Sequence, residues 1–315
     1  HEDAVQEKIR ILKNMIFKDK TAVALGSFDG LHKGHMSVIA CALSMKECGL
    51  VPLALLFDSH PMLALTGQAP PEILQSAERE RLLTEMGVKF EYISFKEIMN
   101  LTCREFFEEI LLKRLNAAAV CCGWNYRFGR GNEGGCRELN ELSDEFGVEL
   151  HISDHVDLGG EPISSSRIRL AVEQGDIPLA NAMLGREFSY SAPVVSGYHR
   201  GHLLGAPTIN QRFEPDFVRP RKGVYASFTT VGGVRYPSVT NIGLRPSFEN
   251  EDFRSETCII GFSGDLYGQV IKVSLLDFIR DEQKFGSVEA LSAQIALDAA
   301  RAKEIFEKRG DSGNV

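Results

Sequence analysis

The chain has 315 residues, of which 43% are hydrophobic and 25% charged, a composition typical of a globular protein with room for two domains. Its formal net charge of −8 argues against a nucleic-acid partner held by a broad electrostatic surface. No apolar run approaches the roughly 18 residues of a membrane span, which argues against a membrane partner.

Cysteine usage and the N-terminal residues indicate the compartment. The seven cysteines form an odd set without C-x-x-C spacing, so neither a zinc site nor a disulfide framework is predicted. The N-terminal residues lack the apolar core of a signal peptide. We therefore expect a cytoplasmic protein, a monomer or a weak homo-oligomer.

The first 185 residues alternate between apolar runs of strand length and runs with helical spacing. The strand character is clearest in Thr21–Leu25 and Val51–Phe57, which are continuous apolar runs. Thr102 and Glu105 form a capping-box pattern that predicts a helix to about Leu115. Further helices are predicted at residues 77–86 and 137–146, and further strands at 90–95, 117–122 and 148–152. This order predicts a parallel sheet with helices on both faces, and ligands at the carboxyl ends of its strands.

The pattern changes after residue 185. β-rich runs are predicted at residues 194–198, 223–231, 234–239, 256–262 and 270–279, and Gly232-Gly233 predicts a hairpin turn. A long helical pattern returns only at Ser287. We therefore predict an α/β domain over residues 1–185, a linker near 184–192, and an antiparallel β-barrel with a C-terminal helix over 186–315.

The first candidate site is the stretch from Gly26 to His35, between the first predicted strand and a predicted helix. Its glycines, Gly26, Gly30 and Gly34, allow sharp turns and close approach to a ligand. The start of a helix favours anions, and His32 and His35 at that point could stabilise charge on a phosphate during transfer. A second H-x-G-H at residues 199–202 lacks this strand and helix context, and we interpret it as a surface loop.

A second phosphate-binding segment is predicted at residues 163–169. Ser164 and Ser165 open a predicted helix, and one of them could be a simple cap. Capping does not explain Arg167 and Arg169, because positive charge at a helix start opposes the helix dipole. Their guanidinium groups are suited to a triphosphate.

Another group of motifs lies in the β-rich half. The run from Gly205 to Asn210 contains Gly205, Pro207, Thr208 and Asn210, and taken alone it is also compatible with a plain turn. It is followed by the segments 241–248, 255–257, 265–268 and 279–285, which read NIGLRPSF, SET, DLYG and IRDEQKF.

Taken together, these motifs resemble those of the bifunctional prokaryotic riboflavin kinase/FAD synthetase (FMN adenylyltransferase) family. The resemblance runs from about Thr21 to Phe306 and includes G-x-F-D-G-x-H-x-G-H, F-D-x-H-P, R-F-G, I-S-S-x-x-I-R, G-x-P-T-x-N, N-I-G-x-R-P and D-L-Y-G in family order. It implies a Rossmann-like nucleotidyltransferase domain that transfers AMP from ATP to FMN. It also implies a C-terminal barrel that makes FMN from riboflavin and ATP.

The resemblance also implies roles for individual residues. Catalytic roles fall on His32, His35 and Glu256, the last as the kinase base, which suits a carboxylate. Nucleotide binding falls on Gly26, Phe28, Asp29, Gly30, Gly34, Ser164, Ser165, Arg167, Arg169, Gly205 and Pro207. Flavin binding falls on Asp58, His60, Pro61, Asn125, Tyr126, Phe128, Arg280 and Phe285. Thr208 and Asn210 offer oxygen ligands for Mg²⁺ bridging the phosphates of ATP.

The chain departs from the family pattern at several positions, namely Ser59, Trp124, Asn125, His202, Ala206 and Ile209. None of these departures removes a proposed catalytic group. Two alternatives remain: an enzyme that keeps only adenylyl transfer, because Ala206 and His202 lie in the kinase half, and a flavin- or nucleotide-binding regulator without catalysis.

Overall fold

The computed structural model describes residues 17–196, 208–245 and 252–308, and within it the chain divides into two compact units. Unit 1 comprises residues 1–70 and 76–164, and unit 2 comprises residues 71–75 and 165–315. The predicted fold class, an α/β part followed by a β-barrel with a C-terminal helix, is confirmed.

Unit 1 is built on a parallel sheet with the strand order β3-β2-β1-β4-β5. The strands are β1 (Thr21–Leu25), β2 (Val51–Phe57), β3 (Lys89–Ile93), β4 (Ala117–Gly123) and β5 (Glu149–Ser153). The central strand β1 is buried along its whole length, as its unbroken apolar run predicts. Because β1 lies between β2 and β4, the chain order reverses there, and the carboxyl ends of these strands flank the usual ligand crevice of such a sheet.

Helices connect these strands. They are α1 (Lys33–Ser44), α2 (Pro61–Thr66), α3 (Ser76–Glu85), α4 (Phe95–Ile98), α5 (Cys103–Glu105) and α6 (Cys136–Phe146). A short hairpin of β6 (Asp157–Leu158) and β7 (Glu161–Pro162) completes the unit.

The helix predicted from Thr102 to Leu115 has an unexpected form. The capping box is present, since the Thr102 and Glu105 side chains each bond the other residue's backbone N–H. Beyond α5, however, residues Phe106–Arg114 form a π-helix, in which for example Leu115 N–H donates to Ile110 O at 3.0 Å. The buried face of this segment carries Phe106, Phe107, Ile110 and Leu111, so the wider hydrogen-bonding pattern keeps the apolar face that helical spacing predicts.

Unit 2 begins with α7 (Ser165–Gln174) and α8 (Ile177–Leu184), followed by a closed barrel and α9 (Val288–Lys308). The barrel order is β10-β11-β12-β9-β8-β13. Its strands are β8 (Phe188–Val195), β9 (Thr208–Arg212), β10 (Gly223–Val231), β11 (Val234–Arg245), β12 (Asp252–Ile259) and β13 (Val270–Arg280). The hairpin at Gly232-Gly233 is confirmed, with φ of 57° and 83°.

The linker predicted near residues 184–192 is wrong, because most of that stretch is strand β8. The segment at residues 71–75 also contributes to unit 2, where the Gln75 side chain bonds the backbone of Ser191 in both directions. Asn181 of α8 bonds β13 and β8, donating to Leu275 O at 3.0 Å and accepting from Phe188 N–H at 2.6 Å. The boundary at 185 as a limit of independent folding stays a prediction.

The two faces of the barrel wall differ in chemistry. The inward face carries buried hydroxyls, among which Thr240 bonds Ser227 at 2.7 Å and Thr257 at 2.9 Å. The outward face of β10, β11 and β13 is apolar and packs on α9, where Phe306 lies 5.0 Å from Phe228. On β10 and β11 at the level of α9, buried hydroxyls and apolar side chains therefore alternate between the two faces.

Candidate active sites

The loop that follows β1 has a strained and fully packed backbone. Phe28 and Leu31 have φ of 49° and 41°, in the left-handed region that non-glycine residues rarely adopt, and Gly30 between them has φ of 82°. Each such non-glycine position costs about 1–3 kcal/mol, and such positions cluster at functional sites. Burial of both side chains, with at most 1% exposure, holds the loop in this form.

Two glycines of the loop are required by close packing. A methyl group on Gly26 would lie 3.2 Å from the Phe28 ring, and one on Gly34 would lie 3.2 Å from the imidazole of His32. Any larger side chain would displace these rings. Close packing therefore explains why positions 26 and 34 are glycine. Asp29, which lies between them in the sequence, is buried.

His32 and His35 are brought together at the start of α1. The backbone N–H of His35 donates to Nδ1 of His32 at 3.2 Å, so His32 is the cap of the helix. Because Nδ1 accepts this bond, neutral His32 carries its proton on Nε2. The two rings are stacked with centroids 3.7 Å apart, and Phe28 packs edge-on against His35. Two imidazoles at the positive end of a 12-residue helix form an arrangement suited to a phosphate.

The next strand, β2, ends in a similar arrangement. Nδ1 of His60 accepts from the backbone N–H of Met62 at 3.2 Å and caps α2, whose first residue is Pro61. Asp58 is exposed and accepts a hydrogen bond from Ser59 at 3.2 Å. Three predicted flavin-binding residues thus lie at the carboxyl end of β2, the strand paired with β1.

The residues after β4 separate into buried and exposed groups. Phe128 is 5% exposed and packs on Tyr126 and Phe106 in the hydrophobic core. Burial raises the pKa of the Tyr126 hydroxyl. Asn125 is exposed. Trp124 is the aromatic residue exposed at this edge, with 51% exposure, and its ring contacts His155. The sequence motifs do not mark Trp124 as a site residue. Flavin binding by Tyr126 and Phe128 stays a prediction.

The serine and arginine segment is divided between the two units. Ser164 ends unit 1, and its neighbour Ile163 places its carbonyl oxygen beside Gly34 at the start of α1. Ser165 opens α7 in unit 2, and Arg167 lies in its first turn. Nε of Arg169 donates to Pro71 O at 2.7 Å. Arg169 therefore has a structural partner within unit 2, and phosphate binding by either arginine stays a prediction.

In the barrel, strand register brings together residues that are far apart in sequence. Glu256 of β12 is directly opposite Asn210 of β9 on one side and Asn241 of β11 on the other. Thr208 is opposite Cys258, two positions along the same strands. Directly opposed side chains, and those two residues apart on a strand, share a face of the sheet. Thr208, Asn210, Asn241 and Glu256 therefore lie on one outward face.

Electrostatics supports this placement of the Glu256 carboxylate. The pKa of the Cys258 thiol is raised, first by burial and second by the negative charge of Glu256. Glu256 itself is half-buried, whereas its neighbours Ser255 and Thr257 point into the barrel. Asn241 belongs to the N-I-G-x-R-P motif, but the motif does not mark it as a site residue, because only the strand register shows that it lies opposite Glu256.

The last two predicted flavin-binding residues are Arg280, the final residue of β13, and Phe285 in the segment that follows it. The guanidinium of Arg280 forms two hydrogen bonds with Asp298 of α9 and lies 5.7 Å from the centroid of the Phe285 ring. Gly205 and Pro207 lie outside the described residues. Within the described ranges, no cluster of three or more His, Cys, Asp or Glu side chains could hold a metal ion.

Two family models match different parts of the chain. The FAD synthetase family model matches residues 15–167, and the riboflavin kinase family model matches residues 184–306. The bifunctional riboflavin kinase/FMN adenylyltransferase of Escherichia coli K12 is 34% identical over 90% of this chain and 92% of its own. The enzyme of the same description from Listeria monocytogenes is 30% identical over 92% of this chain and 93% of its own.

A solved structure agrees as well. A chain from Streptococcus pneumoniae, described as a macrolide-efflux protein, superposes with a TM-score of 0.85 at 32% identity and covers 93% of this chain and 96% of that one. Within the described part of this chain, no helix has both the length and the apolar character that a bilayer crossing requires.

The parallel sheet of unit 1 has stacked histidines at the start of its first helix, and the barrel of unit 2 places Glu256 opposite Asn210 and Asn241. Together with the two matched family models, these features define a transferase. The chain belongs to the bifunctional riboflavin kinase/FMN adenylyltransferase family. The resemblance drawn from the sequence motifs is thereby confirmed.

Proposed function

We propose that this protein makes both flavin cofactors, phosphorylating riboflavin to FMN in unit 2 and adenylylating FMN to FAD in unit 1. Both family models are matched, each on a different part of the chain. The single observation that supports it best is that each part also holds an arrangement of side chains suited to its reaction. In unit 1 this is the stacked pair His32 and His35, and in unit 2 it is Glu256 between Asn210 and Asn241.

In the kinase step, the terminal ribityl hydroxyl of riboflavin attacks the γ-phosphorus of ATP. A new O–P bond forms, the bond between the γ-phosphorus and the bridging oxygen breaks, and ADP leaves. We assign the departing hydroxyl proton to Glu256, since a half-buried carboxylate whose cross-strand neighbours are two amide residues is suited to a general base.

The residues beside Glu256 fit a divalent cation bound together with ATP. Thr208 and Asn210 present hard oxygen atoms on the same face of β9. Mg²⁺ in such enzymes is held by few protein ligands and by substrate phosphates, so two neutral oxygens suffice. When bound, Mg²⁺ neutralises charge on the β- and γ-phosphates.

In the adenylyl transfer, a phosphate oxygen of FMN attacks the α-phosphorus of a second ATP. The bond from the α-phosphorus to the bridging oxygen breaks, and pyrophosphate leaves. Nε2–H of His32 and the imidazole of His35 would donate to the oxygens of the α-phosphate, where negative charge develops. The cap on His32 Nδ1 fixes the orientation of its ring before substrate binds.

The remaining assignments follow the order of the strands. The exits of β2 and β4, with His60 and Asn125, lie on either side of the β1 loop and are assigned to FMN. Ser164, whose neighbour Ile163 lies beside the start of α1, is assigned to the phosphates of ATP, and phosphate binding stays the proposed role of Arg167. Arg280 and Phe285 are assigned to riboflavin. We further propose a cytoplasmic protein that acts as a monomer or weak homo-oligomer.

The proposal is tested by incubating the full-length protein with riboflavin, ATP and Mg²⁺ and separating riboflavin, FMN and FAD by chromatography. We expect FMN to accumulate first and FAD to follow, and supplied FMN to yield FAD directly. FAD from FMN without FMN from riboflavin would indicate a single-activity enzyme. No product from either substrate would leave only a binding protein.

A further inference from the structure

Asp298 of α9 is the one acidic residue that is buried in the described part of unit 2, with 3% of its surface exposed. Its carboxylate is fully engaged by its neighbours. Arg280 donates from Nε to Oδ1 at 2.9 Å and from Nη2 to Oδ2 at 2.7 Å, a two-bond arrangement that fixes the plane of the guanidinium. Gln294, one turn earlier on α9, donates to Oδ1 at 2.9 Å.

A buried ion pair of this kind contributes little net stability to the fold. Removing two charges from water costs several kcal/mol per ion, and replacing such a pair by apolar residues is often neutral or stabilising. Since α9 already packs on the barrel through apolar residues such as Ala302 and Phe306, the pair is not needed to attach the helix. Its specific consequence is the fixed position of Arg280.

Arg280 in turn fixes the segment that follows β13. Its Nη1 donates to Asp281 O at 3.0 Å, and its guanidinium lies against Phe285. Asp281 is held from the other side by Arg221 at 2.8 Å. The next residue, Glu282, crosses to β11, where its carboxylate lies so close to Gly243 that a methyl group there would clash with it.

Residues 281–285 therefore reach the cross-strand residues that share a face of the barrel with Glu256. Gly243 is two residues from Asn241 on the same face of β11, and Asn241 is opposite Glu256. Arg280 is aligned with the same residues, because Val224 of β10 is opposite Arg280 on one side and opposite Asn241 on the other.

We propose that Asp298 is a positioning residue of the kinase site: its carboxylate orients Arg280, and through Arg280 it holds residues 281–285 in the conformation that binds the flavin ring. The inference rests on the proposed kinase function of unit 2. Asp298 does not touch the substrate in this mechanism, so its effect is on riboflavin binding and not on proton transfer.

The test replaces the pair by apolar residues of similar volume, Arg280→Met with Asp298→Leu, in the full-length protein. The barrel is expected to remain folded, since no buried charge is left unpaired. We expect the KM for riboflavin in FMN formation to rise roughly tenfold or more, because residues 281–285 are no longer fixed and Arg280 itself is lost. Asp298→Asn, which keeps Arg280 but weakens its two-bond contact, is expected to raise the same KM and so reports on positioning alone. The KM for ATP in that reaction and the conversion of supplied FMN to FAD are expected to stay at wild-type values.

The matched control is the double variant Arg301→Ala with Glu304→Ala, which removes an exposed ion pair on the same helix and should change neither KM. A stable double variant of Arg280 and Asp298 with a riboflavin KM within about twofold of wild type would overturn the proposal, because the pair would then be structural only. Should that variant fail to fold, Asp298→Asn, which keeps an acceptor for Arg280, is judged by the same KM. A wild-type protein that forms no FMN would instead defeat the proposed function, and the inference with it.

Discussion

In unit 1 the two candidate catalytic histidines lie three residues apart on one loop, whereas in unit 2 the candidate base and its neighbours come from three different strands. His32 and His35 are positioned by contacts within residues 26–37, namely a helix cap, a ring stack and glycines that leave room for both. Glu256 gains Asn210 and Asn241 only through the pairing of β9, β11 and β12.

This difference has a consequence for how each site fails. A site made by one loop at a helix start depends on local geometry, so we expect substitutions elsewhere in its unit to have little effect on its activity. A site made by strand register depends on the whole barrel, because a shift of one residue would move Glu256 to the inward face. The predictions below test this contrast, from the largest expected effect to the smallest.

Glu256→Gln is expected to have the largest effect, lowering FMN formation by about 10²–10⁴-fold, since glutamine matches the shape of glutamate but cannot accept the proton. Conversion of supplied FMN to FAD should be unchanged. The measurement is the pair of initial rates on one preparation, with Glu304→Gln on α9 as the matched control. A kinase rate within threefold of wild type would remove Glu256 from the mechanism, and loss of both rates would indicate damaged folding.

His35→Ala or His32→Ala should lower adenylyl transfer by about 10²-fold or more, as loss of a donor to the transition state does. Phosphorylation of riboflavin should remain at the wild-type rate. The control is His151→Ala on the edge strand β5, where the imidazole lies 2.7 Å from Glu149. FAD formation at the wild-type rate in both variants of the β1 loop would contradict the phosphate-binding interpretation.

Asn181→Ala tests how far the barrel site depends on distant packing. The substitution leaves the buried Phe188 N–H and the Leu275 carbonyl without their amide partner, which is expected to destabilise unit 2 by about 2 kcal/mol. Kinase activity should therefore be lost at a lower temperature, while FMN adenylylation keeps its wild-type thermal profile.

Asn140→Ala, which removes an exposed amide on α6 of unit 1, serves as the control and should leave both profiles unchanged. If Asn181→Ala shifts the two activities together, the units are coupled more strongly than the contrast allows.

The smallest expected effect is that of Thr102→Ala, which removes the cap of α5 and should destabilise unit 1 by about 1 kcal/mol. Urea unfolding followed by the fluorescence of Trp124 reports on unit 1, because it is the only tryptophan in the chain. Thr84→Ala, at an exposed position inside α3, is the control. Equal midpoints for the two variants would show that the cap contributes nothing.

The same cap predicts that the stability of unit 1 depends on pH. The pKa of Glu105 is lowered from its usual range, first by the hydrogen bond from the Thr102 backbone N–H and second by the Thr102 hydroxyl. A carboxylate with a depressed pKa in the folded state contributes stability above its unfolded pKa and loses it as the pH falls through the folded value. The difference in stability between wild type and Glu105→Gln should therefore be present at neutral pH and vanish in acid.

The sequence by itself determined those features that depend on neighbouring residues. The unbroken apolar runs predicted β1 and β2, the pattern of Thr102 and Glu105 predicted a cap, and Gly232-Gly233 predicted a hairpin, because each is a short-range preference of the backbone. The motif from Gly26 to His35 is likewise local, since one loop contains both the histidines and the glycines that pack against them.

The tertiary structure alone decided the features that depend on pairing across the chain. Strand β8 occupies most of the stretch that the sequence predicts as a linker, and its pairing partners β13 and β9 come later in the sequence. The packing of Phe128 on Phe106, with Tyr126 stacked on Phe128, is visible only in the folded chain, and flavin binding by these two residues stays a prediction. Asn241 opposite Glu256 and Asp298 bound to Arg280 follow from register and helix docking, which no local pattern encodes, because energies of burial and pairing depend on residues that meet only in the folded state.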